Sequence, residues 1–138
     1  MKTISVACKG YRRDVNKGGL EEYSGIYCVY RCTYNATAKE VDLKELLYIG
    51  QADNIRDRLA NHERLDDWKC HLEKDEQLCY SRARVDDEDT RLCAEAALIY
   101  HYKPCENTQH KDYFGYPKTK VSLSGDSGLP DKELIVSD

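Results

Sequence analysis

The chain has 138 residues, 41% of them hydrophobic, with 21 Lys and Arg set against 25 Asp and Glu for a net charge of −4 at pH 7. That length suits a single domain, residues 1–138, that buries a real core without disulfide support. The acidic balance argues against a strong nonspecific nucleic-acid binder, which carries a basic stripe, and no apolar run approaches membrane-spanning length.

The opening residues, MKTISVACKGYRRD, lack the apolar core of a signal peptide, so a cytoplasmic protein is expected. Residues 2–8 alternate apolar and polar and predict a short strand. Residues 10–19 hold three glycines and read as a loop. A strand rich in Ile, Val, Tyr and Cys is predicted from Gly25 to Tyr34. Cys28 and Cys32 share one of its faces, but nothing nearby completes a zinc set. The seven scattered cysteines read as reduced thiols. The polar stretch Asn35 to Lys44 reads as a connection longer than a tight hairpin, and Leu46 to Gln51 as the next strand.

Asp53 or Asn54 can cap a helix that runs to about Trp68. A third strand is expected over Glu76 to Val85, with Leu78, Tyr80 and Ala83 in the core. Asp86 to Asp89 open a second helix, where negative charge suits the macrodipole; it runs to about Tyr102 and Pro104 stops it. Beyond lie an irregular aromatic loop, His110 to Tyr116, and two segments, 121–124 and 134–136, that can pair as a hairpin. Tyr113, Phe114, Tyr116, Lys118 and Lys120 can stack on bases and touch phosphate, although closing the sheet edge is the expected role. The order predicts an α+β fold, a small central antiparallel sheet of three core strands flanked by helices and extendable by terminal strands.

Several residues carry chemistry. Side chains two apart on a strand share a face, so Tyr27 projects with Gly25 and Val29, and Tyr48 with Gly50. Pairing of the two strands brings both tyrosines together, although a strand tyrosine alone is usually packing. Arg58 and His62 are four apart on the predicted helix, one turn apart on one face. Arg58 can hold two phosphate oxygens and His62 can move a proton near neutral pH; the plain alternative is that both are solvated. Glu95 lies in CAEAALIY beside the packing face, where a carboxylate is costly unless paired, hydrogen-bonded or metal-bound.

Gly25-Ile26-Tyr27, Tyr48-Ile49-Gly50, Arg58, His62, Glu95 and Asn107, taken in order, resemble the motif series of the GIY-YIG endonuclease family. Arg58 falls eight residues after Gly50, and Lys103-Pro104-Cys105-Glu106-Asn107 is similar to the family's Pro-x-x-Asn segment. The resemblance covers residues 24–107, leaving 108–138 as an extension, and the spacing between the tripeptides is longer than is usual in the family, with Asn35 to Lys44 as the insertion. It implies a GIY-YIG-like fold and metal-dependent hydrolysis of DNA phosphodiester bonds, with Glu95 holding one Mg²⁺ or Mn²⁺. It further implies Arg58 on the phosphoryl oxygens, Tyr27 as general base, Tyr48 positioning water or phosphate or sharing that role, His62 relaying a proton or binding phosphate, and Asn107 holding the geometry. The expected partner is DNA, with no membrane; a homodimer and a separate specificity or partner protein are open. The rival reading is a catalytically weak module of the same shape that binds nucleic acid or a protein. A thiol- or zinc-using protein built on the cysteines is a third.

Overall fold

A computed structural model describes all residues, Met1–Asp138. The first six residues of strand β2 (Gly25–Asn35) are all buried. Both of its faces are covered, and a strand covered on both sides reads as a continuous apolar run rather than an alternation. It pairs antiparallel with β3 (Glu40–Ala52) on one side and with β4 (Glu76–Arg84) on the other. Strand β1 (Lys2–Arg13) runs antiparallel along the far edge of β4. Strand β5 (Thr119–Gly125) lies parallel to β1, and β6 (Glu133–Val136) returns antiparallel to β5. The result is one six-stranded sheet, β3-β2-β4-β1-β5-β6. The α+β class and the three-strand antiparallel core agree with expectation, and the terminal strands extend it.

Helices α1 (Ile55–Ala60), α2 (Leu65–Lys69) and α3 (Glu88–Tyr102) cover the sheet. On one face, Cys93, Ala94, Ala97 and Leu98 of α3 pack with Ile26, Cys28, Tyr30 and Cys32. On the other, Ile55, Leu59 and Trp68 pack on Tyr27, Val29, Leu78 and Tyr80. The Asp87 carboxylate caps α3 by accepting from the Thr90 N–H at 2.9 Å. The helix ends at Lys103 in a left-handed conformation, φ 48°, just before Pro104. Gly25 is fixed by close approach, since a Cβ there would sit 2.0 Å from the Ala83 carbonyl oxygen.

Four expectations are corrected. The stretch 35–44 is no long connection: β3 starts at Glu40 and the turn is short. The Asn35 carboxamide oxygen accepts from the Thr37 and Ala38 N–H groups, both at 3.0 Å, and closes it. The outer half of β3 is polar because it is largely exposed, so the added length is hairpin. β1 likewise runs on through Arg13, with an irregular register between Lys9 and Arg12 where a loop was expected. The single helix expected to Trp68 is two, because Asn61 leaves helical geometry (φ −140°, ψ 53°). His62 falls in the break, so it does not share a helix face with Arg58. That break lets Leu59 and Trp68 both be fully buried. Finally, β5 joins β1 in parallel rather than only pairing with β6, and the intervening sheet and helices serve as the crossover.

The aromatic loop fills the core rather than closing the sheet edge: Phe114 is fully buried, with its ring centroid 6.3 Å from that of Tyr100 and 5.4 Å from that of Tyr116, while Tyr113 is exposed. The Asp138 carboxylate accepts from the Phe114 and Gly115 N–H groups and ties the chain end to this loop. No helix is long and apolar enough to cross a membrane.

Candidate active site

The register of β2 against β3 sets Tyr27 opposite Gly50 and Val29 opposite Tyr48. The Tyr27 ring lies over Gly50: a Cβ at that position would come within 2.4 Å of its Cζ and Oη. The glycine of the second tripeptide is therefore the seat for the tyrosine of the first. The Tyr27 and Tyr48 rings are stacked at 27°, with centroids 6.3 Å apart.

Beneath them the His62 side chain is wholly buried, against Trp68 at 4.4 Å and Tyr48 at 5.6 Å between centroids. Its Nδ1 accepts the Arg64 backbone N–H at 3.1 Å. That leaves the proton of the neutral ring on Nε2, 2.9 Å from the Tyr27 oxygen. His62 thus donates to Tyr27, and the tyrosine's own O–H stays free to donate elsewhere. Burial, reinforced by the Arg58 charge, lowers the His62 pKa to about 4, so the ring is neutral at physiological pH. Burial raises Tyr27 well above the ordinary tyrosine value; the Tyr48, Glu95 and Glu63 charges add to this and Arg58 opposes it. Tyr48 is raised also, by burial first and by Glu95 second.

Glu95 reaches the same region from the opposite face of the sheet. Because β3 is the edge strand, α3 can pass its carboxylate around that edge. Tyr48, Glu95, Asn107, Glu63, Arg64 and His110 then line one cleft of about 210 Å³. Burial raises the Glu95 pKa to about 7, opposed in part by the Gln51 backbone and the Arg91 charge. Its carboxylate has no ion pair and no side-chain hydrogen bond. An under-partnered carboxylate facing a polar cleft suits one hard divalent cation, with water and substrate oxygens completing the shell. Arg91, one turn before Glu95 and 2% exposed, donates to the Gln51 side chain at 2.7 Å and to Asp53 at 2.6 Å. It locks α3 against the end of β3 and so sets where Glu95 stands.

Arg58 lies beside this cleft, with Gln51, Asp53 and Asn61 around it. Its guanidinium is gripped by Glu63 through two parallel hydrogen bonds of 2.6 and 2.7 Å. The pairing holds the Glu63 pKa down at about 2. A carboxylate thus occupies the fork that suits a phosphate.

Asn107 points at the β3 backbone rather than into solvent. Its Oδ1 accepts the Ile49 N–H at 2.9 Å and its Nδ2 donates to the Ile49 carbonyl at 2.8 Å. The side chain thus mimics a neighbouring strand and satisfies the free sheet edge. Tyr48, Glu95 and Asn107 therefore share the cleft wall, Arg58 stands beside it, and Tyr27 and His62 lie buried beneath. Sequence reasoning missed Glu63, Arg64, Trp68 and Arg91. Arg64 carried a signal only as one of several arginines after β3, and the partners of Arg91 are about 40 residues away, as with Gln51.

Over 79 residues, 57% of this chain, the sequence is 35% identical to UvrABC system protein C of Fervidobacterium nodosum. Over 78 residues, 56% of the chain, it is 35% identical to UvrABC system protein C of Thermosipho africanus. In both cases the match spans 14% of the relative's length. No family model matches the chain, and no solved structure matches it either.

Proposed function

We propose that the chain is a divalent-metal-dependent endonuclease domain of GIY-YIG type that hydrolyses DNA phosphodiester bonds. The observation that carries this reading is the convergence, at the free edge of β3, of an under-partnered, half-buried carboxylate, an arginine fork and two stacked tyrosines. The likeness to UvrABC system protein C over more than half the chain supports it.

Glu95 would hold one Mg²⁺ or Mn²⁺, which when bound supplies positive charge to the scissile phosphate and the leaving oxygen. The phosphate displaces Glu63 from Arg58, and the guanidinium then offsets charge gathering on the phosphoryl oxygens. The Arg58 charge lowers the Tyr27 pKa against the raising effect of burial. The hydrogen bond donated by His62 Nε2 favours the phenolate of Tyr27 over the phenol. As the phenolate, with its own hydroxyl proton released to solvent, Tyr27 would take the proton of the attacking water, and Tyr48, on the cleft wall, would position that water. His62 keeps its own proton in this scheme and orients Tyr27. Asn107 acts through Ile49, fixing the strand that carries Tyr48.

The test is conversion of supercoiled plasmid to nicked circles with Mg²⁺ or Mn²⁺, against an EDTA control. Glu95→Gln and Arg58→Ala are each expected to lower the rate at least about 100-fold with the circular dichroism of the fold retained. Equal nicking by either variant, or nicking that persists in EDTA, overturns the proposal. The second reading, a module that binds nucleic acid or a protein partner with little cleavage, draws on the Arg58–Glu63 fork and the acidic surface. It predicts retained DNA or partner binding by the wild-type chain with no nicking under any metal. Cutting of both strands by this single site needs a homodimer or two successive nicks, which sedimentation on DNA separates.

A further inference from the structure

Behind the cleft, His71, two residues past the end of α2, and the segment that follows α3 come side by side. From the geometry there we infer that His71, Cys105 and Glu106 form a second metal site, of the zinc class and separate from Glu95. One donor atom from each, His71 nitrogen, Cys105 Sγ and a Glu106 oxygen, lies within 4.8 Å of the other two. His71 Nε2 is 2.8 Å from Glu106 Oε2 and 4.0 Å from Cys105 Sγ. Tetrahedral zinc with bonds of about 2.0–2.3 Å sets its donor atoms roughly 3.3–3.7 Å apart. The His71–Glu106 pair must open, and the His71–Cys105 pair close, by about half an ångström, and these side chains are half-buried or exposed.

The donor set is one sulfur, one imidazole and one carboxylate. A thiolate selects against Mg²⁺ and Ca²⁺, and the mixture suits Zn²⁺ with water in the fourth position. The cysteine is accessible to a metal because Cys105 is exposed. The carboxylate is already oriented: Arg64 Nη2 donates to Glu106 Oε1 at 3.1 Å and to its carbonyl oxygen at 2.6 Å. That leaves Oε2 for the metal, an outer partner fixing an inner ligand. The backbone is fixed too, since the Glu106 N–H donates to the Leu47 carbonyl at 3.0 Å and Asn107 clamps Ile49. On binding, Cys105 gives its thiol proton to solvent, and His71 coordinates through an unprotonated Nε2 in place of its hydrogen bond to Glu106. Arg64 connects this site to the cleft, because its backbone N–H sets the His62 tautomer.

The test uses the full chain, stripped with a chelator, then titrated with Co²⁺ and with Zn²⁺ against a chromophoric competitor. The expected result is one Zn²⁺ per chain at sub-micromolar affinity and a thiolate-to-cobalt absorption band in the near ultraviolet. Cys105→Ala abolishes the band, and Cys105→Ala and His71→Ala each weaken Zn²⁺ binding about 100-fold or more, with unchanged circular dichroism. Glu95→Gln keeps both the band and the affinity. Absence of the band, zinc affinity unchanged in Cys105→Ala, or loss of the site in Glu95→Gln overturns the inference. None of these readouts depends on cleavage, so they stand apart from the nuclease proposal.

Discussion

Gly50 and Tyr27 are one structural unit divided between two strands. The glycine contributes only the space that its missing side chain leaves, and the ring fills it. Gly50→Ala puts a methyl group 2.4 Å from ring atoms in a packed core, which costs about 1–3 kcal/mol and displaces the Tyr27 hydroxyl from His62. Urea unfolding measures the first effect and plasmid nicking the second; an alanine variant as stable and active as wild type contradicts the seating. His62 gives a pH signature. Its pKa is about 4 folded, against the ordinary 6.5. The unfolded chain therefore binds a proton that the folded chain refuses. The stability this contributes is complete above pH 6.5 and is lost as pH falls from there toward 4. Between pH 7 and pH 5 the wild type is expected to lose about 2 kcal/mol more than His62→Gln; equal losses in paired unfolding titrations contradict it.

At the scale of elements, the edge of β3 decides where the site forms. An edge strand leaves N–H and C=O groups unpaired, and Asn107 answers those of Ile49 from a segment 58 residues away. Asn107→Ala removes both bonds and is expected to cost about 2 kcal/mol. It should also slow nicking by loosening the strand under Tyr48; a loss of stability without a loss of rate would confine Asn107 to folding. This edge also marks what the sequence makes legible. β2 reads plainly because burial on both faces writes an unbroken apolar run. α3 reads plainly because Asp87 and Pro104 bound it, and Glu95 stands out as a carboxylate among alanines. The outer half of β3 is masked, since a strand with little burial has the composition of a loop. The break at Asn61 is masked too, because neither Asn61 nor His62 forbids helix; it is the burial of Leu59 and Trp68 that forces it. Pairings such as Tyr27 with His62 and Arg58 with Glu63 depend on that break and on register, so spacing along the chain does not disclose them.

For the whole molecule, residues 108–138 are built into the sheet and core rather than trailing from them. They contribute two strands, and Phe114 fills the core that α3 covers. Phe114→Ala is expected to cost about 3–5 kcal/mol, measured by denaturant unfolding; a loss below 1 kcal/mol, on the order of a surface substitution, would make the extension dispensable. The sum of charges, −4, has a consequence through the Arg58–Glu63 fork. An arginine on a nucleic-acid surface ordinarily expels a condensed counterion from the phosphate it meets, and salt weakens the contact accordingly. Arg58 instead brings its own anion, tethered five residues away. Exchange of Glu63 for phosphate leaves a freed carboxylate beside the backbone it has just admitted, so the arginine's gain is offset by local repulsion. Engagement at Arg58 thus favours a ligand that also brings a cation to the cleft, and a naked phosphate has little advantage over the protein's own carboxylate.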